Sequence, residues 1–455
     1  MKQHSLTTAT TTRELEPTQD SSSVPLLNVD SALLPTPLEE AHAARTVELS
    51  RDVAENTGKP KGYQGMNYRN APRQTMENQT IHPDDQTIIT SQPMPGESNT
   101  LATFPDGWAE CMLTGYVKKQ ILATPGFPHP IERTEEPMFC ISSTPDRGLG
   151  MFAARGMKTG DLILDERPMM VAPVLSDPRT IAFPENFTED QILQAAIYEY
   201  EKTLGFCFRR MPKENQQAFM GLSNCHQRDG SGTLFGIIRT NGYEVEGLKD
   251  KNAQEPFGIY TAIWDKLSRL NHSCSPNVCR KWNTASFSMQ IRAARDIEEG
   301  EELTTAYCAI LNPAAKRQTD LAAYDFKCTC AACSDPSKSD VKREGFSRRP
   351  VLVPPFAGKG KAKGDWLDPA LTMLAEMEEE GVQASLYYKA TLYQLVMACV
   401  YMADKDKALM YGRKLAEISR ARGESMDATF TSVKKLKRLP QWGLYRKQAG
   451  LQVYR

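Results

Sequence analysis

The chain has 455 residues, a length typical of about two to four domains. Its 55 Lys and Arg nearly balance 56 Asp and Glu, so the whole chain is not a histone-like binder of nucleic acid. No apolar run approaches about 18 residues, which excludes a transmembrane helix. All 11 cysteines follow residue 100 and no apolar secretion signal begins the chain, so we expect reduced thiols or metal ligands.

The first hundred residues differ in composition from the rest of the chain. Residues 1–100 contain no Cys, Trp or Phe, but 22 Ser and Thr and 9 Pro. Such a segment buries too little apolar surface to offset its ordering entropy, so we predict a disordered tail. For residues 101–136 the apolar spacing predicts a helix over 107–123, and a proline-rich connector follows.

The middle of the chain changes between strand and helix patterns. Residues 138–173 have strand character, and the spacing within 176–240 predicts a helical insertion. Residues 259–270 are predicted to be helical or irregular, and 285–308 alternate like strands. Residues 154–163 and 294–303 share an Ala-Arg pair and a glycine followed by an acid at the same offset, which predicts two similar strand–turn–strand units.

The C-terminal third is predicted to be helical and basic. A Ser/Lys/Gly/Pro-rich stretch at 336–364 indicates a linker, and 365–455 indicate a helical domain. Two amphipathic helices split at 403–407 resemble one tetratricopeptide hairpin. Residues 336–455 have 22 Lys and Arg against 13 Asp and Glu. The basic run at 434–438 fits a solvated helix face better than a nucleic-acid contact.

Three cysteines within six residues form the first strong chemical signal. Cys328, Cys330 and Cys333 can converge on one tetrahedral ion, and zinc normally takes a fourth ligand. Cys274 is the nearest candidate for that ligand. The alternative is that these are unrelated buried cysteines, but such spacing is rare by chance.

The heptapeptide NHSCSPN at 271–277 is the second signal. Asn271 and His272 are suited to fixing a polar ligand while Cys274 faces a metal. An ordinary polar loop with one core histidine is the alternative. A zinc deaminase is disfavoured, because its H-x-E signature needs a Glu at the position of Cys274 and a Pro before Cys330.

Two weaker signals flank these motifs. Gly148-Leu149-Gly150 is a short glycine turn, which allows close approach of the backbone to a ligand but by itself indicates only a bulge. Tyr307 ends the predicted strand GEELTTAY, where an aromatic residue usually belongs to a core.

Taken in chain order, four segments resemble the SET-domain protein lysine methyltransferases. They are RGLGMFAAR at 147–155, NHSCSPN at 271–277, GEELTTAY at 300–307 and YDFKCTCAAC at 324–333. The resemblance spans about residues 137–334 and is closest to the SMYD branch and its fungal relatives. Unlike that branch, the chain has no MYND zinc finger, because only Cys207, Cys225 and His226 occur between 156 and 270.

The resemblance implies S-adenosylmethionine as methyl donor, a structural zinc ion and a role for each matching residue. Tyr307 is the implied catalytic residue, and Tyr243 and Tyr324 are the implied walls of a lysine channel. The implied donor-binding residues are Gly148, Leu149, Gly150, Asn241, Asn271, His272, Tyr307 and Phe326. The implied zinc ligands are Cys274, Cys328, Cys330 and Cys333.

The resemblance also implies the fold and the activity. We expect an α+β SET domain over 137–310, with short curved sheets and a threaded crossing of 271–277 with 300–307. A zinc-bound post-SET segment is expected over 311–335. The expected activity is methylation of a protein lysine, histone or not, by a monomer in the nucleus or cytoplasm, with possible chromatin contact and no membrane. The alternative is a catalytically silent SET fold that recruits partners through its C-terminal helices.

Overall fold

A computed structural model describes residues 58–65, 73–74, 82–93, 106–175, 183–253, 257–348, 352, 366–425 and 428–448. Within these ranges no helix is long and apolar enough to span a membrane. The strands are β1 (Arg73–Gln74), β2 (Thr87–Gln92), β3 (Ala109–Thr114), β4 (Phe139–Ser143), β5 (Leu149–Ala153), β6 (Leu162–Glu166), β7 (Met170–Pro173), β8 (Tyr243–Lys249), β9 (Ile259–Ile263), β10 (Asn271–His272), β11 (Val278–Asn283), β12 (Ser288–Ala293) and β13 (Glu302–Thr305). The helices are α1 (Gly115–Leu122), α2 (Glu189–Arg210), α3 (Lys213–Met220), α4 (Thr233–Asn241), α5 (Ala314–Leu321), α6 (Ala331–Ser334), α7 (Pro336–Phe346), α8 (Asp368–Glu379), α9 (Leu386–Met402), α10 (Lys405–Ala421), α11 (Val433–Leu436) and α12 (Leu444–Gln448).

The largest sheet has six strands in the order β1-β2-β3-β7-β9-β8. Helices α2 and α4 cover one of its faces, where Tyr200 and Phe235 pack against Met112 and Met170. The other face packs against the two smaller sheets through Cys111, Val171 and other apolar residues. The central strands of this sheet are therefore buried on both faces. The helices that cover one face, α2 and α4, belong to the helical insertion predicted within 176–240.

The first correction concerns the predicted disordered tail. Strand β2 lies within residues 1–100, yet Ile88 and Ile89 are fully buried, one on each face of the six-stranded sheet. It pairs antiparallel with β3 over its whole length. Because residues 1–100 are polar on average, their composition did not reveal β2. The buried residues of this strand are ordered by its pairing with β3 in the six-stranded sheet. The rest of the predicted tail lies mostly outside the described residues.

Two predicted helical segments are strands at least in part. Residues 109–114 form β3, and only 115–122 form a helix, where Thr114 caps the first turn by accepting from the Val117 amide. Residues 259–263 form β9 rather than a helix or an irregular segment. Both strands are buried on both faces, so their apolar residues do not alternate and periodicity cannot separate them from helix.

The two similar segments predicted at 154–163 and 294–303 pack against each other. Met157 and Ile297 exchange both backbone hydrogen bonds, at 2.9 and 3.0 Å. The Gly160 amide donates to Ala293 O and the Gly300 amide to Ala153 O, both at 2.8 Å. Both glycines have positive φ, at 90° and 82°. The repeated glycine therefore serves the same left-handed turn in both units.

Two small sheets bring the sequence motifs together. One has the order β10-β13-β5-β4, and the other has the order β11-β12-β6. Strand β10, which begins NHSCSPN, runs parallel to β13, with Asn271 beside Thr304 and His272 beside Thr305. The mixture of short sheets and helices agrees with the predicted α+β class.

The C-terminal helices form a second core that is continuous with the sheet domain. Helices α8, α9 and α10 pack on one another and on Cys279, Ala294 and Ile310. The predicted pair of helices corresponds to α9 and α10, of which α10 is amphipathic as predicted, whereas α9 is buried on most of its surface. The predicted linker at 336–364 is wrong over its first eleven residues, because Pro336–Phe346 form helix α7 with Pro at its first turn. Arg343 in α7 is fully buried, and its hydrogen bonds to Cys274 O and Ile310 O hold this helix in place.

Candidate active site and cysteine cluster

The NHSCSPN segment is fixed to β13 by side chains as well as by strand pairing. His272 is buried, and its Nδ1 accepts a hydrogen bond from the Tyr307 amide at 3.0 Å. Its Nε2 therefore holds the proton and lies 3.2 Å from Cys274 Sγ. Asn277 accepts from the Thr304 amide at 2.8 Å. One short segment thus positions an imidazole, a thiol and the backbone that bears Tyr307.

Tyr307 follows the last residue of β13 by two positions and is half-buried. The hydroxyl donates to Leu270 O at 2.6 Å, and Tyr243 lines the same cavity as Tyr307. Burial, followed by the nearby Tyr243 and Tyr324 rings, raises the pKa of Tyr307 well above its ordinary value. The group is therefore a neutral phenol whose remaining lone pair can accept a weak contact.

Aromatic rings surround Tyr307. The ring of Tyr324 lies 4.9 Å from that of Tyr307, and Phe326 lies 6.4 Å from Tyr307 and 6.0 Å from His272 between ring centres. The Arg280 guanidinium covers the Tyr243 ring at 4.2 Å. Tyr243, Tyr307 and Tyr324 line one narrow cavity. The structure therefore brings the predicted catalytic and channel residues together.

The glycine turn lies beside Asn271. The Asn271 Nδ2 donates to Leu149 O at 3.3 Å and to Glu302 Oε1 at 2.8 Å. Gly148 has a φ of +71°, and a Cβ at Gly150 would lie 2.9 Å from Glu302 and 3.0 Å from Asn271. Leu149 exposes 43% of its surface. Gly148, Leu149 and Asn271 thus form an accessible surface of backbone groups and one side-chain amide.

Asn241 is placed differently from the other predicted donor contacts. It ends α4, and its Nδ2 donates to Ser223 O and Ile237 O, both at 2.7 Å. It lines the cavity of the three tyrosines. Asn241 therefore lies at the cavity, but its side-chain NH2 group is already hydrogen-bonded to the backbone at the end of α4.

The four predicted zinc ligands converge. The sulfurs of Cys274, Cys328, Cys330 and Cys333 all lie within 4.8 Å of one another. Cys274 Sγ is 3.6 Å from Cys333 Sγ and 4.0 Å from Cys328 Sγ. Four thiols at this spacing form the donor set that a structural zinc ion prefers. His272, Cys274 and Cys308 form a second group among the described residues, sharing Cys274 with the first.

Two fully buried arginines near the cysteines were not predicted from the sequence. Arg317 donates to Cys333 Sγ at 3.6 Å and to Ala332 O at 3.0 Å. Arg343 donates to Cys274 O and Ile310 O, both at 2.7 Å. Arginines on amphipathic helices usually face solvent, so no local pattern distinguishes these two from surface residues.

A cleft of about 170 Å³ separates the sheet domain from the C-terminal helices. Its walls come from β8, β11 and the end of β13 on one side, and from residues 384–386 on the other. Glu244, Glu246 and Arg280 line it, and Ala306 belongs both to this cleft and to the tyrosine cavity. The cleft therefore adjoins the cavity that contains Tyr307.

Comparison with known proteins places these features in a family. Residues 148–308 match the family model of the SET domain. N-lysine methyltransferase SMYD2-B of Xenopus laevis is 28% identical over 212 residues, which are 42% of this chain and 47% of that protein. Histone-lysine N-methyltransferase set5 of Schizosaccharomyces pombe is 27% identical over 286 residues, 62% of this chain and 77% of that protein. The solved SET domain of LSMT bound to lysine and AdoHcy is 12% identical, with a TM-score of 0.24, and the match covers 70% of this chain and 87% of that one.

Residues 148–308 are therefore similar to the SET domain. Among proteins that carry this domain, the chain is similar to the SMYD2 and set5 lysine methyltransferases. The chain spans about half the length of the SMYD2 relative.

Proposed function

We propose that this protein is an S-adenosylmethionine-dependent protein lysine methyltransferase. The observation that carries the proposal is the pairing of β10 with β13, which joins Asn271 and the glycine turn to the cavity of Tyr243, Tyr307 and Tyr324. That pairing also supports the threaded crossing that the family resemblance implies.

The residues around Asn271 fit a methyl donor with an amino-acid group. Within the described residues, Asn271 Nδ2 is engaged with Leu149 and Glu302, which leaves Oδ1 to accept from an ammonium group. Gly148 has open space where a side chain would stand, so its backbone is accessible. Phe326, half-buried beside His272, presents a ring for stacking on adenine. S-adenosylmethionine, when bound, supplies a methyl group on a positively charged sulfur.

The tyrosine cavity fits the lysine substrate. A lysine amine attacks only when neutral, and removing its proton at pH 7.4 costs about 4 kcal/mol from a reference pKa near 10.4. An aromatic, desolvated channel lowers that cost by disfavouring the ammonium form. The Tyr307 hydroxyl donates to Leu270 O and has a lone pair for weak C–H···O contacts. Alignment of the amine then accounts for much of the rate.

Zinc at the four cysteines would act as a structural ion. Cys274 belongs to NHSCSPN, whereas Cys328, Cys330 and Cys333 follow the segment that bears Tyr324 and Phe326. Four thiolate ligands leave no open position for catalysis. The ion would therefore hold the Phe326 segment against His272.

The substrate is proposed to be a lysine in a protein segment. The set5 relative is named a histone-lysine methyltransferase, so histone tails are the first substrates to test, followed by a proteome extract that includes non-histone proteins. The cleft beside Tyr243 is lined by Glu244 and Glu246 and by Arg280, so it fits a segment with basic residues near the lysine. A nuclear or cytoplasmic location accords with either class of target.

The direct test measures donor binding and methyl transfer separately. Zinc-loaded protein is titrated with S-adenosylmethionine by calorimetry and incubated with methyl-labelled donor and substrate proteins. We expect binding and label on discrete lysines, with Asn271→Ala losing both. Donor binding without label on any substrate would favour the alternative, a silent module that recruits partners through the C-terminal helices. No binding by folded, zinc-loaded protein would overturn the proposal.

A further inference from the structure

One arginine lies between the cleft and the tyrosine cavity. Arg280 is half-buried on β11, and the central carbon of its guanidinium lies 4.2 Å from the centre of the Tyr243 ring. Arg280 lines the cleft, whereas Tyr243 lines the cavity that contains Tyr307. A group bound to this guanidinium would therefore lie next to one wall of the channel proposed for the lysine.

The arginine is an exception on its face of β11. Side chains alternate along a strand, so Val278, Arg280 and Trp282 share one face. Val278 and Trp282 are buried in the core that also contains Tyr243. An apolar residue at position 280 would continue this face, whereas a guanidinium loses part of its hydration there. The packing of the core therefore does not account for a cation at this position.

The Arg280 guanidinium makes neither a hydrogen bond nor an ion pair with any residue that the structure describes. The other charged side chains that line the cleft are Glu244, Glu246 and Arg422. Lys281 Nζ lies 3.2 Å from Glu246 Oε2, and Arg422 Nε donates to Glu424 Oε1 at 3.1 Å. A guanidinium with its N–H donors available is suited to paired hydrogen bonds with a carboxylate.

We propose that Arg280 selects protein substrates with an aspartate or glutamate beside the target lysine, a specificity that rests on the proposed function. The substrate carboxylate pairs with the guanidinium in the cleft, while the lysine side chain enters the cavity of the three tyrosines. Successive residues of an extended segment are about 3.3 Å apart, and the guanidinium lies 4.2 Å from the Tyr243 ring. The acid is therefore expected about one or two residues from the lysine.

A carboxylate fits this cleft better than a phosphorylated side chain. Phosphate also pairs with arginine, but near neutral pH it carries close to two negative charges. Glu244 and Glu246 line the same cleft, so a dianion is repelled more strongly than a monoanion. The two glutamates are also the contacts proposed for basic residues of the substrate. We therefore expect a segment of mixed charge rather than a uniformly basic one.

The preference is measured with full-length, zinc-loaded protein, methyl-labelled S-adenosylmethionine and a library of short peptides. Each peptide has one central lysine, and one flanking position at a time carries glutamate, glutamine, lysine or phosphoserine. We expect kcat/KM to be about tenfold higher with glutamate than with glutamine at a position near the lysine. Equal values for glutamate and glutamine at every position would overturn the proposal. A preference for phosphoserine over glutamate would overturn the choice of a carboxylate.

Charge-swapped variants separate recognition by Arg280 from a purely structural role. Arg280→Gln should lose the preference for glutamate, and Arg280→Glu should favour lysine at the same peptide position. Structural damage would lower the rate for all peptides alike, so it cannot reverse the preference. Arg292→Gln is the matched control and should keep the glutamate preference, because Arg292 lies on the adjacent β12 and pairs with Glu132 at 2.6 Å. A glutamate preference that survives in both Arg280 variants would contradict the proposal.

Two further measurements on the wild-type protein keep the test decisive. If the Arg280 variants fail to fold, added salt should reduce the glutamate preference, because the ion pair is partly exposed; an unchanged preference would contradict the pair. Peptide binding, followed by fluorescence anisotropy, separates this inference from the proposed function. Tighter binding of the glutamate peptide without methylation of any peptide or protein would support the role of Arg280 and contradict the methyltransferase. Methylation without any preference for an acid would contradict the role of Arg280 alone.

Discussion

Tyr307 is held by three contacts from two parts of the chain, the segment 270–272 and Tyr324. Its amide donates to His272, its hydroxyl to Leu270 O, and its ring contacts that of Tyr324. Because the Tyr307 hydroxyl is already fixed, it does not have to move when a substrate binds. Such a preformed position is what allows alignment of the reacting groups to raise the rate.

Tyr307→Phe is expected to lower the methyl-transfer kcat by about 10²-fold, because the ring stays in place while the contact to the amine and methyl is lost. The Kd for S-adenosylmethionine, measured by calorimetry, should change little. Tyr116→Phe, in helix α1, is the matched control and should retain full activity. A full-activity Tyr307→Phe enzyme would remove this residue from the mechanism.

The half-buried position of Tyr307 also predicts the pH dependence of the reaction. Since burial raises the pKa of this phenol well above its ordinary value of about 10, the group stays protonated throughout the neutral and mildly alkaline range. The rate should therefore increase with pH as the lysine loses its proton, by about tenfold per unit below the lysine pKa. A decrease between pH 8 and 10, in protein whose circular dichroism is unchanged, would contradict a neutral Tyr307.

Most of the candidate site could be predicted because its residues lie in short motifs. Cys328, Cys330 and Cys333 are near neighbours in the chain, so their spacing alone limits them to one ligand set. Arg317 and Arg343 could not be found this way, because their partners lie up to 69 residues away and their own helices look like surface helices.

At the scale of elements, the cysteine cluster brings the segment that contains Cys274 together with the segment 328–333. The 3₁₀ turn 322–324 and helix α6 are both short, and Asp325 between them adopts a left-handed conformation. Gln318 holds this stretch by a pair of hydrogen bonds with Cys328, at 2.8 and 3.1 Å. Because this segment is so short, we expect its order to depend on the zinc ion proposed at the four cysteines.

Removal of the proposed zinc ion is expected to loosen residues 324–334 and to weaken donor binding by about tenfold or more, because Phe326 is carried by that segment. Hydrogen exchange and calorimetry on chelator-treated protein measure the two effects. Cys330→Ser should reproduce both, and Cys140→Ser, on an exposed strand, should reproduce neither. Unchanged exchange after complete metal removal would show that the cluster does not order the segment.

The elements that sequence patterns misassigned share one physical feature. In β3 the residues from Ala109 to Leu113 are all buried, because helices cover one face of the sheet and smaller sheets the other. Apolar residues then occupy both faces, and the alternation that identifies a strand disappears. In α9 and α10, by contrast, the separating Ala403 with positive φ could be located, because a break in helical spacing is local.

Two glycines in C-terminal helices should respond oppositely to alanine. A Cβ at Gly412 in α10 would lie 1.9 Å from Phe430 O, whereas Gly345 in α7 has nothing within 4 Å of such an atom. We expect Gly412→Ala to lower the free energy of unfolding by about 1–3 kcal/mol and Gly345→Ala to raise it by about 0.5–1 kcal/mol. Urea denaturation measures both, and a Gly412→Ala protein as stable as wild type or more stable would show that the α10 contact is not tight.

At the scale of the whole molecule, one buried side chain connects the SET domain to the C-terminal helices. Arg343 on α7 is fully buried and donates to Cys274 O, Ile310 O and Ser275 Oγ on one side. On the other side it pairs with Glu380 Oε2 at 3.0 Å and donates to Glu380 O. The segment that holds Asn271 and Cys274 is thus anchored to the end of α8.

Removal of this guanidinium would leave buried acceptors and the Glu380 carboxylate without their cation. We expect Arg343→Met to lower the free energy of unfolding by about 3–5 kcal/mol. Arg348→Ala is the matched control, because its ion pair with Glu344 is exposed and should be worth less than about 1 kcal/mol. Urea denaturation of zinc-loaded proteins measures both changes.

Because Arg343 also holds the carbonyl of Cys274, its variant should release zinc to a chelator faster than wild type, and Arg348→Ala should not. Equal stabilities and equal release rates for the two variants would mean that the C-terminal helices are held to the SET domain by their apolar contacts alone.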